Sequence, residues 1–337
     1  MKLSEIGEFG LIDRFSPPFL RDLPRAVVGI GDDAAIIERS ADEALLVTID
    51  TLVEEIHFVR AKTTPRDLGE KSLAVNLSDI AAMGGTPTSA FLALGLPPDT
   101  PVEWIDQLFE GLHGLCRRES VPLLGGDTTR SPGPILITIT VLGSIVPRNI
   151  KRRSSARPGD VLCVTGTLGD SGGGLRVMLQ DLTLGEDERS LLERHCRPQA
   201  HLAEGRWLGA QPDVHAMMDV SDGIDSDIRH IMRQSRCGAR IALERLPVSR
   251  ELRGAAGRHG WDLIELMMTG GEDYCLLLTV DPSAMSAVGR AFARDFGREL
   301  SVIGSITAEE GRLELLRDGQ PALLHQHGFD HFLGRGV

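Results

Sequence analysis

Two domains that each mix strands with helices, an α/β or α+β fold, are predicted by three features of the sequence. The chain has 337 residues, which is length for about two packed domains. Apolar, β-branched runs alternate with helically periodic segments in both halves. A basic stretch from Pro147 to Arg153 lies between them, so the expected units are residues 1–147 and 148–337.

In the first half, Met1 to Phe15 is expected to form a short amphipathic helix with Leu3, Ile6, Leu11, Ile12 and Phe15 on its apolar side. The Pro-rich link SPPFLRDLP then separates it from a strand, Ala26 to Ile30, that runs into Gly31-Asp32-Asp33. A second strand, Ala44 to Ile49, ends in Asp50-Thr51, and Glu54, Glu55 and His57 follow closely. Gly69 to Met83 reads as the central helix. Leu73, Leu77 and Ile80 make an apolar face, while Ser72, Asn76, Asp79 and Met83 repeat the same spacing on another. Gly84, Gly85 and Pro87 stop it. The remaining elements are the strand Ser89 to Leu96, the helix Val102 to Glu119, the strand Val121 to Leu124, the loop Gly125 to Thr129 and the long strand Ile135 to Ile145.

The second half opens with the strand Val161 to Thr165, then the Gly-rich run Gly166 to Gly174 leading into a helix to about Gln180. Two helices fill Asp187 to Leu208 around Pro198. Ala216 to Val220 is a strand ending in Ser221-Asp222-Gly223, followed by the helix Asp225 to Arg236. Strand Arg240 to Leu243, helix Ser249 to His259 and segment Leu263 to Thr269 lead to Gly270-Gly271-Glu272-Asp273-Tyr274. Strand Cys275 to Val280, a helix over Ser283 to Phe296 and strands near Val302 to Ile306 and Arg312 to Leu316 complete it.

The apolar and charged fractions, 42% and 25%, are those of an ordinary globular protein. No apolar run reaches the roughly 20 residues of a membrane span, and the first residues lack a signal-peptide core, so a cytoplasmic protein without a membrane partner is expected. A formal charge of −12 argues against nucleic acid as a partner. The five cysteines are scattered and without metal-ligand spacing, and are expected to be reduced.

Chemistry concentrates in six loops, GIGDDA, TIDT, NLSD, GGDT, DVSDG and GGED, each with an acidic residue at the end of an apolar segment. Asp-Gly loops are also what turns and helix caps are made of. Asp79, however, sits in a largely apolar helix with no Arg within one turn, and an ionised carboxylate there needs a partner. Carboxylates gathered in one site repel unless cations neutralise them, and Mg²⁺ takes one or two carboxylates plus phosphate oxygens. Neither GxxxxGK[ST] nor GxGxxG is present. The run Gly166 to Gly174 suits either an anion at a helix N-terminus or tight helix packing.

Taken together, GEFGLIDRF, GIGDDAA, TIDTLVEEIHF, KSLAVNLSDIAAMG, GGDTTR, DVSDGIDSD, GGEDY and GFDHF resemble the thiamine-monophosphate kinases, of the aminoimidazole-ribonucleotide-synthetase-like superfamily. The resemblance spans nearly the whole chain and implies a two-domain PurM-like fold whose N-terminal sheet forms a dimeric β-barrel, with a C-terminal α/β domain. It implies ATP-dependent phosphorylation of thiamine monophosphate with several Mg²⁺ ions. By motif position, Asp33, Thr48, Ile49 (through its backbone), Asp50, Asp79, Asp127, Asp219 and Asp222 would be metal ligands, with Asp50, Asp79, Asp127 and Asp222 central to catalysis. Gly126, Asp127, Arg153 and Ser221 would contact ATP, and His57 and Glu272 thiamine phosphate. Gln326 stands where some relatives place an aromatic residue against the thiamine ring, and VEEIHF adds Glu55 where VEGVHF is common.

Other ATP-dependent enzymes of that superfamily, resembling aminoimidazole ribonucleotide synthetase or selenophosphate synthetase, share the Gly-Asp loops, although the latter use a Cys near the N-terminus and the first here is Cys116. Clustered Asp loops also suit a metal-dependent phosphohydrolase. The strands Ser89 to Leu96 and Ile135 to Ile145 leave an apolar sheet face to cover, so a homodimer through them is expected, with Ile137 and Ile139 in the interface.

Overall fold

The computed structural model describes residues 3–21 and 23–324. Helix α1 spans Leu3–Arg21, kinks at Gly7 (φ 66°, ψ −176°), and runs on through Pro17 and Pro18 where the sequence predicts a link. Two short strands, β1 (Val27–Val28) and β2 (Ala35–Glu38), then flank the GIGDD turn. Strand β3 (Ala44–Val53) is longer than its apolar run, because Asp50, Thr51, Leu52 and Val53 stay paired with the partner strand. Asp50 therefore lies within a strand and not at its end.

Helix α2, Pro65–Ala82, starts a turn earlier than its apolar periodicity indicates. Thr64 caps it by accepting from the Asp67 N–H at 3.1 Å, and Pro65 occupies the first turn, where a missing N–H costs nothing. Strand β4 (Thr86–Leu96), helix α3 (Val102–Glu119) and strand β5 (Leu123–Arg130) follow. The GGDTT segment expected as a loop is thus the body of β5, an edge strand parallel to β4. Gly126 is required there by packing, since a Cβ would fall 1.7 Å from the Leu92 carbonyl oxygen of β4. With β6 (Leu136–Ile145) the first sheet has the order β1-β2-β3-β6-β4-β5.

The second half contains β7 (Val161–Val164), α4 (Asp170–Leu179), α5 (Glu186–Cys196), α6 (Leu202–Gly209), β8 (Val214–Asp219) and α7 (Ile224–Ser235). It continues through β9 (Gly238–Ala242), α8 (Arg250–His259), α9 (Leu263–Thr269), β10 (Leu276–Val280), α10 (Met285–Phe296), β11 (Ser301–Thr307), β12 (Leu313–Arg317) and β13 (Gln320–Pro321). Its sheet has the order β13-β12-β9-β11-β7-β10-β8. Both sheets are mixed, with parallel pairing at β4–β5 and β12–β9.

Helix α2 lies against the first sheet and reaches the second. Most of its residues from Leu68 onward are buried, including Lys71, Ser72, Asn76 and Ser78. The joint is tight, for a Cβ at Gly205 of α6 would meet the Ala81 carbonyl oxygen at 2.2 Å. One apolar core joins Leu73, Leu77, Ile80, Ile137 and Ile139 to Val214, Met217, Leu276 and Leu278 of the second sheet. Ile137 and Ile139 are 1% exposed, so they face α2 and not the open side of the sheet. That open side carries Leu45, Val47, Ile49, Phe91, Leu136, Thr138, Thr140 and Leu142, among which Ile49 is 63% exposed. The five cysteines are buried free thiols. No described helix is long and apolar enough to cross a membrane.

Candidate active site

Helix α2 delivers Asp79 to the seam between the two halves. There one carboxylate oxygen from each of Asp33, Asp79 and Asp219 lies within 4.8 Å of the others. Thr48 of β3 donates its hydroxyl to Asp79 Oδ2, and Ser78, next to Asp79 on the helix, donates to Asp219 Oδ2 at 2.6 Å. Asn76 Oδ1 accepts the Asp50 N–H at 3.1 Å and so ties α2 to β3.

The charges are unbalanced. Burial and the neighbouring charges of Asp50, Asp219 and Asp33 push Asp79 well above the ordinary carboxylate range. Burial and Asp33 do the same to Asp219, although the Ser78 hydroxyl and Arg153 oppose them. Burial, with Asp33 beside it, raises Asp50 to about 6. Arg153 is a cation facing this group. Its Nε and Nη2 donate to Asp33 at 3.2 and 2.6 Å, and its backbone N–H donates to Asp32 Oδ1 at 2.9 Å. Burial works against the guanidinium charge, yet Asp33 more than restores it. Arg153, with Arg152 acting on Asp32, leaves the five carboxylates in excess and room for added cations. An all-oxygen donor set with excess negative charge is what a hard divalent ion takes. A further sign of fit is Asp227, whose two buried carboxylate oxygens have no hydrogen-bond partner among the described residues.

The GGEDY segment borders this group. Its Glu272 and Tyr274 have left-handed backbones (φ 63° and 49°), a strained choice for residues other than glycine. Hydrogen bonds hold the loop to the strand end before Asp222, from Glu272 N–H to the Ser221 carbonyl at 2.7 Å and from Tyr274 N–H to the Val220 carbonyl at 2.9 Å. Glu272 Oε2 accepts from Lys71 Nζ at 2.9 Å and lies 3.2 Å from His195 Nδ1. Burial alone would raise Glu272, but the Lys71 ammonium that donates to it holds it below its usual value. His195 is pushed down to about 4, first by burial and then by Lys71, so it is neutral. Tyr274 is 8% exposed, and burial together with the charges of Glu272, Asp50, Asp219 and Asp222 raises its phenol.

The Gly-rich run serves tight helix packing, since a Cβ at Gly174 would fall 2.2 Å from the Leu191 carbonyl oxygen of α5. Asp273 accepts the N–H groups of Gly169 and Ser171 at 2.6 and 3.1 Å, so the N-terminus of α4 is already occupied by a carboxyl group of the same chain, which burial raises to about 8. A cavity of about 1030 Å³ lies beside this turn, between α2 and α5, with Ala74, Leu77, Arg194, Arg197, Glu272 and Cys275 on its walls.

His57 is half-buried, and its Nδ1 accepts the Val53 N–H at 3.0 Å, which places the proton of the neutral ring on Nε2. Ser221 and Asp222 occupy the turn after β8, next to the GGEDY loop. Ile49 turns its side chain to the open face of the sheet, leaving only its backbone near Thr48 and Asp50. Asp127 departs from the expected cluster: it is exposed on β5 opposite Ala93, outside the group formed by Asp33, Asp79 and Asp219. The expectation for Gln326 lies outside the described residues. Sequence reasoning gave no role to Lys71, His195, Tyr274 or Asp227. Lys71, Asp227 and Tyr274 stood inside quoted motifs, and their burial was the missing signal.

Residues 31–145 match the family model for the N-terminal domain of AIR synthase related protein, and residues 157–315 the model for its C-terminal domain. Two sheets with a carboxylate-lined junction are therefore those of an AIR synthase related protein. Thiamine-monophosphate kinase of Escherichia coli is 38% identical over 330 residues, spanning 97% of this chain and 98% of that one. The structure of AaThiL complexed with AMPPCP and TMP is 32% identical with a TM-score of 0.86, over 98% of this chain and 99% of that one. Thiamine-monophosphate kinase from Stenotrophomonas maltophilia is 38% identical with a TM-score of 0.75, over 94% and 98% of the two chains. The chain belongs to the thiamine-monophosphate kinase family.

Proposed function

We propose that this protein transfers the γ-phosphoryl group of ATP in line onto the phosphate of thiamine monophosphate, giving thiamine diphosphate and ADP. The observation that carries this reading is the meeting of Asp33, Asp79 and Asp219 from both halves within 4.8 Å, with Arg153 alongside. The relative's complex with AMPPCP and TMP supports the substrate pair.

Asp33, Asp50, Asp79, Asp219 and Asp222 would hold Mg²⁺ ions, with the Thr48 hydroxyl and the Ile49 backbone beside them. Bound there, Mg²⁺ supplies the positive charge that lets two anionic phosphates approach. Arg153 adds a fixed cation, and its commitment to Asp33 keeps it aimed at the same point. No strong general base is needed, because a phosphate monoester with a second pKa of about 6 is already ionised at neutral pH. Ser221, Gly126 and Asp127 contact the nucleotide. His57 and Glu272, with Gln326, bind thiamine phosphate. Residues 1–147 form the nucleotide, metal and dimerisation unit, and residues 148–337 complete the substrate site. The enzyme works in the cytoplasm.

Incubation with ATP, Mg²⁺ and thiamine monophosphate is expected to yield thiamine diphosphate and ADP in equal amounts. Free phosphate without a phosphorylated acceptor would instead mean hydrolysis. The apolar open face of the first sheet supports a C₂ homodimer in which two such sheets close into a barrel. Light scattering at low micromolar concentration is expected to give twice 36.5 kDa, and a mass of 36.5 kDa would sink the dimer. Glu at Thr140 or Leu142, on that face, should shift the dimer toward monomer.

A further inference from the structure

Asp227 lies in the first turns of α7, five residues beyond Asp222, and is 1% exposed. Both of its carboxylate oxygens are buried without a hydrogen-bond partner among the described residues. The Asp222 N–H acts on it electrostatically but forms no hydrogen bond that meets normal geometry. The neighbouring acid, Asp225, is by contrast held by Arg229 at 2.9 Å, one turn along the same helix. The side chains acting most strongly on Asp227 are Asp222 and Asp219, and Asp219 belongs to the three-carboxylate group. A buried carboxyl with both oxygens unsatisfied costs several kcal/mol and persists only where something repays it.

We propose that Asp227 is a further acidic residue of the divalent-cation site, its carboxylate held open for an ion shared with Asp222 and Asp219. Helix α7 suits the purpose. Its first turn follows directly on the Ser221-Asp222-Gly223 bend, which leaves Asp227 near enough for the charges of Asp222 and Asp219 to act on it. The inference rests on the metal reading given above and adds a residue to it. Asp227 is the part of the site that an ion, and no side chain among the described residues, completes.

The test is a titration of the full-length protein with Mn²⁺ alone, following free Mn²⁺ by electron paramagnetic resonance and the melting temperature in parallel. Asp227→Asn keeps the shape and removes the charge. It is expected to weaken Mn²⁺ binding about 10–100-fold, the range for losing a supporting group around a metal. The variant should melt no lower than the parent without metal, and lose most of the Mn²⁺-induced rise. Asp225→Asn should leave Mn²⁺ affinity within about twofold, a change below about 0.4 kcal/mol. Equal weakening by both variants would mean a general effect of charge near the helix and would overturn the assignment. Unchanged Mn²⁺ binding in Asp227→Asn overturns it too, leaving a carboxyl that serves a buried water. If Asp227→Asn does not fold, Asp227→Ala is measured. Failure of both while the metal-free parent folds makes the carboxyl structural, and the assignment is wrong. If the parent itself binds no Mn²⁺, the metal reading fails with it.

Discussion

Asp79→Asn is expected to keep the fold while kcat/KM falls about 10²–10³-fold, the scale for removing one preorganised charge contact at a reacting phosphate or oxyanion. The amide preserves the shape and can still accept from the Thr48 hydroxyl. What it cannot do is balance a cation. Near-normal turnover at saturating Mg²⁺ would show that the seam carboxylates are not the metal site. The same variant carries a sign that stability measurements can read. Burial, Asp50, Asp219 and Asp33 raise the Asp79 carboxyl above its unfolded value. Its contribution to folding is thus complete at acid pH and is lost as pH rises through the folded value. Without metal, the variant should therefore gain on its parent as pH rises above the ordinary carboxylate range. A constant or shrinking difference in melting temperature with pH would contradict the electrostatic account.

The second large effect is expected from Lys71→Met. Lys71 is 2% exposed, and the partner given to its ammonium is Glu272, two hundred residues away on the strained loop. Removing one member of a buried pair leaves the other desolvated, at a cost of about 3–5 kcal/mol. A quarter of the Glu272 side chain still faces the cavity, so the lower end applies. That remains a large share of the roughly 5–15 kcal/mol by which proteins are stable. Neutral His195 cannot replace the lost charge. Equilibrium urea unfolding measures the loss, and the double variant Lys71→Met/Glu272→Gln should recover much of it. If the double variant is as unstable as the sum of the singles, the two residues are not coupled.

The helices and most strands were legible from periodicity, because α3 and the long β6 keep one apolar face over many residues. Legibility failed where tertiary pairing overrode local pattern. Asp50 continues β3 because β6 runs beside it, and GGDTT is strand because β4 offers an edge. The first turn of α2 was readable in Thr64, Pro65 and Asp67 and was missed only by following apolar residues. At the site, the motifs named Asp33, Asp79 and Asp219, which do converge, and Asp127, which in one chain does not. The choice between phosphate and packing at Gly166 to Gly174 could not be made from sequence. It turned on two distant contacts, the Leu191 carbonyl closing against Gly174 and Asp273 occupying the first backbone N–H groups.

Helix α2 has one more consequence. The apolar core it anchors includes residues of both sheets without a break, from Ile36 and Ile139 through Leu77 to Met217 and Leu278. Counted by strands, the chain is two bodies; this core is common to both, while another lies wholly within the second half. Cutting the chain between the sheets would strip α2 of the wall formed by Val214, Met217, Leu276 and Leu278. Asp79 of the first half and Asp219 of the second meet only where the two halves pack around that helix.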